Sequence, residues 1–221
     1  MATNLNQQID TPAPPNLGSP SDAYDARYFF QSNGSLNAYF IKLRNIFGAL
    51  FGYRGGKYIN NPYGAFQDTT DQSAANTTTA YAITFDTTDF SNGVTLSNSS
   101  RLNVAQAGIY NAQFSIQFKN TTNDTQDVDV WFRKNGTDIA SSNSRFGMPS
   151  RKSSGDPSHI IAALNLFVSL AADDYLQIMW RPSDIGVSVE HYAAGTSPTR
   201  PTVPSVIATL SFVSNLSTET A

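Results

Sequence analysis

Apolar and polar side chains alternate one by one along residues 109–119, and this alternation constrains the fold more than any other feature of the chain. The apolar positions are Tyr110, Ala112, Phe114, Ile116 and Phe118. A period of two is the pattern of a β-strand with one face on a core and the other face in water. We therefore predict a long strand here, in a protein built from sheets.

The same alternation returns in several other segments. Val128, Val130 and Phe132 alternate with polar neighbours, and this segment ends at Asn135-Gly136, a pair that favours a tight hairpin. Shorter strands are predicted at residues 81–86, 101–104, 175–180, 187–192 and 206–213. About nine or ten strands separated by turn signals are typical of an all-β jelly roll or sandwich.

Residues 159–170 are apolar on both faces of the predicted strand. One face carries Ile160, Ala162, Leu164, Leu166, Val168 and Leu170. The opposite face carries His159, Ile161, Ala163, Asn165, Phe167 and Ser169. A strand with two apolar faces lies at the centre of a sheet or in a subunit interface.

The first 60 residues have a different pattern from the rest. Residues 1–25 contain Pro12, Pro14, Pro15 and Pro20, and prolines at this density predict an extended arm outside any sheet. Ser35 is a candidate N-cap for a short helix that follows the arm. The sequence thus predicts an N-terminal arm and helix over residues 1–60 and a β-sheet head domain over residues 61–221.

The predicted helix has an apolar stripe that we interpret as an attachment surface. The stripe carries Leu36, Phe40, Leu43, Phe47 and Leu50, flanked by Tyr39 and Ile46. Positions 36, 43 and 50 keep a seven-residue period, which suits a helix that packs against copies of itself. The alternative is an amphipathic helix packed on its own domain.

Charge and composition exclude several classes of partner. The chain has 14 Lys and Arg against 17 Asp and Glu, a net charge of −3, and no basic run that would bind nucleic acid. We expect no membrane insertion, because no stretch approaches the ~18 apolar residues that a span needs. The first residues lack the features of a signal peptide, so we expect synthesis in the cytosol.

The sequence offers little catalytic chemistry. There are no cysteines, and the two histidines, His159 and His191, lie on different predicted strands without a hydrolase, kinase or dehydrogenase motif. We therefore expect no enzymatic activity and no cofactor. Calcium at Asp124, Asp127 and Asp129, or at Asp173 and Asp174, is an alternative to solvated acidic side chains.

Four segments together resemble the jelly rolls of the complement globular head and of tumour necrosis factor. In chain order they are Gly108-Ile109-Tyr110, residues 130–136, residues 164–170 with Ala172-Asp173-Asp174-Tyr175, and residues 205–212. The resemblance covers residues 63–214 and implies a tumour-necrosis-factor-like jelly-roll sandwich. One departure is Asp173-Asp174, because these families have Gly-Asp at that turn.

A cysteine-free version of this fold, behind a Pro-rich arm and a helix, is similar to virion proteins of tailed bacteriophages. Those proteins use the trimeric fold in fibres, knobs and capsid decorations. The resemblance implies a non-enzymatic structural protein located in the virion, a homotrimer whose further partners are other virion proteins. We expect the trimer interface to contain His159, Ile161, Ala163, Asn165, Phe167, Asn111 and Gln113.

A competing hypothesis is a host receptor-binding module of a tail fibre that recognises a surface glycan or protein. Strand alternation places Trp131 on the polar face beside Asp129 and Arg133, where an aromatic ring suits a contact surface. The alternative for Trp131 is a ring covered by the segment at residues 146–151. Trp131 is therefore a candidate surface contact.

Overall fold

The structure, a computed structural model, describes residues 12–17, 19, 22–51 and 61–214, without the side chains of residues 49–51. The chain divides into two compact units, Met1–Asn60 and Asn61–Ala221. The described part of the first unit holds one helix, and the second unit is built from strands.

Helix α1 spans Ala26–Phe51 and has 26 residues. It is capped by Asp25, whose Oδ1 accepts a hydrogen bond from the backbone N–H of Arg27 at 2.8 Å. The prediction of an N-cap at Ser35 is therefore wrong, and Ser35 lies inside the helix. The helix continues through Gly34, because a glycine in a helix interior destabilises the helix by about 1 kcal/mol relative to Ala. This cost is too small to end a helix that is capped by Asp25.

The described part of the second unit contains two antiparallel sheets and a separate two-stranded hairpin. The strands are β1 (Tyr63–Asp68), β2 (Gln72–Ser73), β3 (Tyr81–Ala82), β4 (Thr87–Asn92), β5 (Val94–Ser97), β6 (Arg101–Val104), β7 (Gly108–Asn120), β8 (Gln126–Lys134), β9 (Thr137–Asp138), β10 (Ser144–Met148), β11 (Ser158–Leu170), β12 (Tyr175–Pro182), β13 (Val187–Val189), β14 (Gly195–Thr196), β15 (Thr199–Arg200) and β16 (Val206–Ser214). The first sheet has the order β2-β13-β7-β16-β1-β4, with β11 also paired to β7. The second has the order β10-β8-β12-β6-β5, with β3 on β12 and β9 on β8.

The two sheets enclose one apolar core, because the alternation turns one face of each strand inward. The ring of Phe114 on β7 lies 5.6 Å from that of Phe132 on β8. Phe118 lies 5.7 Å from Trp180 on β12, which is 1% exposed. These contacts confirm the prediction of an all-β sandwich, and the antiparallel sheets are consistent with a jelly roll.

Two predicted strands are shorter in the structure than in the sequence analysis. The strand at residues 81–86 ends at Ala82, although Ile83 and Phe85 are buried. Their backbone N–H groups donate to the carbonyls of Ile178 at 2.8 Å and Ser99 at 2.7 Å. The strand at residues 187–192 ends at Val189. The periodic pattern predicts which positions are buried. It does not predict where the strand ends, because the backbone partners come from other parts of the chain.

The turn that departs from the resembling families has a clear geometry. Asp173 has a φ of 68°, the left-handed conformation that glycine adopts most readily. Asp174 supports the turn, because its Oδ1 accepts from Nδ2 of Asn135 at 2.6 Å and its Oδ2 from the N–H of Ala171 at 2.7 Å. An Asp tolerates this conformation better than most residues, so the turn forms without glycine.

The first and last described strands of the second unit lie side by side. β1 pairs antiparallel with β16, with Asp68 opposite Val206. At the other end of this pair, the N–H of Phe212 donates to the carbonyl of Pro62 at 2.8 Å. The chain therefore enters and leaves the sandwich at one place.

Candidate functional site

Strand β11 lies at an edge of the first sheet. It pairs with β7 along its whole length, from Ser158 opposite Asn120 to Leu170 opposite Gly108. Within the described residues, β7 is its sole strand partner. The alternative of a position at the centre of the sheet is therefore wrong, and no strand of the described residues covers the second apolar face of β11.

The outward face of the first sheet, which we call the β11 face, carries exposed apolar side chains among uncharged polar ones. Ile161 and Phe167 on β11 are 62% and 61% exposed, and Ile207 on β16 is 43% exposed. The register places Ala163, Ser115 and Ile207 in one row across the sheet. The residues predicted for the trimer interface, His159, Ile161, Ala163, Asn165, Phe167, Asn111 and Gln113, share this face.

A shallow depression lies in the middle of the β11 face. It has a volume of about 330 Å³ and is lined in part by Gln113, Ala163 and Asn165. Ile207 was not part of the sequence prediction. Its signal was present, because Ile207 and Val213 occupy odd positions of a strand whose even positions form the core.

His159 belongs to a hydrogen-bonded network at one end of the β11 face. Its Nδ1 lies 3.2 Å from the hydroxyl of Tyr192 and 3.5 Å from Oε2 of Glu190. Lys119 forms an ion pair of 2.6 Å with the other oxygen of Glu190. Burial and the hydrogen bond to Glu190 raise the pKa of Tyr192. The charges at this end are therefore paired within the protomer.

Trp131 lies on the outer face of the second sheet, as the alternation predicts. It is half-buried and lines a cleft of about 320 Å³, which we call the Trp131 cleft. The cleft is lined by Asp129, Trp131, Asp138, Ile139, Ser141, Asn143 and Arg181. Strands β8, β9 and β12 and the loop after β9 supply these residues.

Two ion-paired carboxylates flank Trp131 in the cleft. Asp129, 8% exposed, accepts from Nε of Arg145 at 2.9 Å and from a terminal nitrogen of Arg181 at 3.3 Å. Asp138 accepts from Nε of Arg133 at 2.6 Å, and this bond holds the pKa of Asp138 below its usual value. The nearby Trp131 indole contributes to that lowering. Its Nε1–H nevertheless has no partner in hydrogen-bond geometry among the described residues.

The alternative in which residues 146–151 cover Trp131 is wrong. Phe146 belongs to β10 and pairs with Val128, three positions before Trp131 on β8. The segment next to the ring is instead the turn after β9, which contributes Ile139, Ser141 and Asn143 to the cleft. The pattern of residues 137–143 has no period, so this partial cover has no signal in the sequence.

Two of the acidic residues considered for calcium have other partners in the protein. Asp129 pairs with arginines, and Asp174 binds Asn135 and lies 3.5 Å from Lys134. Among the described residues, no three acidic or histidine side chains are grouped closely enough to hold a metal ion.

The apolar stripe of α1 is longer than predicted, because the helix begins earlier. Phe29 continues the seven-residue series of Leu36 and Leu43. Phe29, Phe40 and Phe47 are 47%, 60% and 52% exposed. The side chain of Leu50, the last predicted stripe residue, lies outside the described residues. Within the described part of the chain, no helix combines the length and apolar character needed to cross a membrane.

Comparisons with known proteins do not identify a family. No protein-family model matches the sequence, and no curated protein shows significant similarity to it.

Proposed function

We propose that the protein is a non-enzymatic structural component of a bacteriophage virion that assembles as a homotrimer. The head domain closes the trimer through the β11 face. The N-terminal arm and α1 attach it to other virion proteins, in a capsid decoration, a fibre or a knob.

The observation that carries the proposal is the exposure of Ile161, Phe167 and Ile207 on one sheet face. Apolar side chains this exposed, on a flat surface without unpaired charge, support a protein interface. A second copy of the same chain fits because a closed ring of identical subunits covers every such face. The free edge of β11 supports the same conclusion, since unprotected edges invite pairing with other chains.

Helix α1 gives independent support for self-association. Phe29, Leu36 and Leu43 occupy one heptad position, Phe40 and Phe47 occupy the other, and Asn33 precedes them at the second position. Such a seam is typical of a helix that packs against its own copies, and a polar Asn in it specifies the register. Tyr39 and Ile46 widen the stripe on one side, which suits more than two helices.

The assignment to a virion is supported by the sequence resemblance and by the low content of charged residues. Only 14% of the residues are charged, against about 25% in an average soluble protein. The test is immunogold labelling of intact particles from the phage that encodes the chain. Label at a regular position on the particle is the expected result. Particles without label, with the protein present only in the infected cell, would contradict the virion assignment.

The trimer is tested on the full chain by light scattering. We expect the mass of three chains for the natural protein and of one chain for Phe167→Asp, because an unpaired charge buried in an interface costs several kcal/mol. Ile185→Asp is the matched control, since Ile185 is as exposed as Phe167, at 61%, but lies in the turn between β12 and β13.

Loss of the trimer in Phe167→Asp alone, with the circular dichroism spectrum unchanged, is the expected result. A monomeric natural chain at micromolar concentration, or a trimer that tolerates Phe167→Asp, would contradict the proposal for the β11 face.

A second candidate function is attachment to a host receptor, a glycan or a surface protein. The observation that favours it is the Trp131 cleft, which belongs to the second sheet and is not part of the β11 face. Purified protein that competes with particles for host cells would support attachment. Unchanged adsorption in excess protein would support the structural function alone.

A further inference from the structure

The Trp131 cleft has the size of a small-ligand site. Its volume of about 320 Å³ lies at the lower end of the range for such sites. All of its side chains come from one protomer, so the cleft is complete without the trimer.

The charged side chains that line the cleft are ion-paired. Arg145 and Arg181 bind Asp129, and Arg133 binds Asp138. Asp129, Asp138 and Arg181 line the cleft, and none of the three lacks a partner of opposite charge. An ion-paired site has no unpaired charge with which to hold an anion or a cation, and this favours a neutral ligand.

The same polar groups are suited to hydroxyl groups. A carboxylate accepts several hydrogen bonds and a guanidinium offers five donors, so neither Asp129 nor Arg181 is saturated by its ion pair. Ser141 and Asn143, both exposed, add a hydroxyl and an amide. The opening therefore offers both donors and acceptors, as recognition of a polyhydroxylated molecule requires.

The apolar part of the cleft is formed by Trp131 and Ile139. Nε1 of the Trp131 indole is shielded from solvent, so the part of the ring that reaches the cleft is carbon. Asp129, nearly buried and fixed by two arginines, lies two residues away on the same face of β8. The cleft thus places an aromatic carbon surface beside fixed hydrogen-bonding groups.

We propose that the Trp131 cleft binds one neutral sugar ring of a glycan. A sugar ring presents an apolar C–H face to an aromatic ring and carries hydroxyl groups at its rim that both donate and accept. A charged sugar would meet an ion-paired surface without a free partner. Because the ligand is small, a dissociation constant on the order of 1 mM is expected for a single ring.

The two tryptophans allow a direct test on the full chain by ¹H–¹⁵N NMR. Trp131→Phe assigns the two indole N–H signals, and Trp180, 1% exposed in the core, is the internal control. Glucose, galactose, mannose, rhamnose and the two N-acetylhexosamines are titrated singly to about 50 mM, well above the expected dissociation constant. At least one sugar should shift the Trp131 signal and leave the Trp180 signal in place.

Variants identify the site and the source of the ring. Asn143→Ala should weaken binding about tenfold, the effect of losing one hydrogen-bonding side chain. Asn123→Ala, exposed in the loop between β7 and β8, should not change it. Trp131→Ala should abolish saturation transfer from the protein to the sugar. Binding of an oligosaccharide at least as tightly as the single sugar indicates a unit within a chain, and weaker binding indicates a terminal ring.

Three results would overturn the proposal. The first is that no sugar of the panel moves the Trp131 signal. The second is that Asn143→Ala and Asn123→Ala bind as the natural chain does, which places the sugar elsewhere. The third is tighter binding of glucuronic acid than of glucose, which contradicts a neutral site. None of these results bears on the trimer, which light scattering tests separately.

Discussion

Tyr110 is a buried polar residue on which the core of the sandwich depends. It is 0% exposed, and its hydroxyl donates to the carbonyl of Gln106 at 2.8 Å. Its ring packs edge to face against Phe212 at 5.7 Å. Burial raises the pKa of Tyr110 to about 12, because the core disfavours the phenolate.

This pKa predicts a loss of stability at high pH. From the ordinary value of 10.0 to about 12, the unfolded chain releases the Tyr110 proton while the folded chain keeps it. The free energy of unfolding therefore falls as pH rises through this window, by about 3 kcal/mol in total, and is unaffected below it. Urea unfolding at pH 8, 10 and 12 measures the effect.

Tyr110→Phe should remove this part of the pH dependence, at a cost of about 1 kcal/mol at pH 8 for the lost hydrogen bond. Tyr24→Phe, whose ring is 83% exposed on the first unit, controls for the loss of a hydroxyl. An equal fall in stability above pH 10 in the Tyr110→Phe variant and the natural chain would contradict the assignment.

Among the elements, α1 carries the exposed apolar stripe described above. In a single chain Phe40 is mostly exposed, so its truncation has little to disrupt. In a bundle of identical helices the same ring lies in the seam. Phe40→Ala should therefore weaken association of the full chain by about 2 kcal/mol or more per helix, the size of an interface hot spot. Sedimentation equilibrium measures the change.

Ile41→Ala is the matched control for this prediction. Ile41 is 51% exposed and adjacent in sequence, but it points away from the seven-residue series of the stripe. Equal weakening by both substitutions would indicate general loss of helix stability, and no weakening by either would contradict the helix bundle.

Some elements could be predicted from the sequence and others could not. The strand at residues 109–119 was predicted nearly to its ends, because its alternation is set by one buried face over thirteen residues. The predicted interface residues share one face because the same period fixes which side chains point together. The start of α1 was not predicted, because the residues around Asp25 have the same polar composition as the predicted arm.

The Trp131 cleft could be predicted only in part. Trp131 and Asp129 follow from the alternation of β8, but Arg181 comes from β12 through a register of Arg181 opposite Asp129. Strand partners so distant in sequence are set by the topology of the whole sheet. Ser141 and Asn143 come from an irregular turn whose path depends on tertiary contacts. Such residues have no local signal.

At the scale of the whole molecule, the proposed trimer should resist salt. The charged groups on the β11 face are concentrated in the network of Lys119, Glu190 and His159, and these pair within one protomer. The exposed apolar side chains of this face form no ion pair between copies that salt could screen. We expect the mass measured by light scattering to stay at three chains from about 0.05 to 1 M NaCl. Dissociation at high salt would show that the subunits are joined by charges instead.

The hydrogen bond between Phe212 and Pro62 has a consequence for the way the sandwich can be handled. The start of β1 and the end of β16 therefore lie close together in the first sheet. A short linker can join residues 61 and 214, and the chain can be cut at the exposed turn around Gly155, where φ is 82°. The circular permutant keeps every strand pair of both sheets. The new termini of the permutant lie at the turn around Gly155 and not beside β1 and β16. A fused protein can therefore be attached at either place on the sandwich.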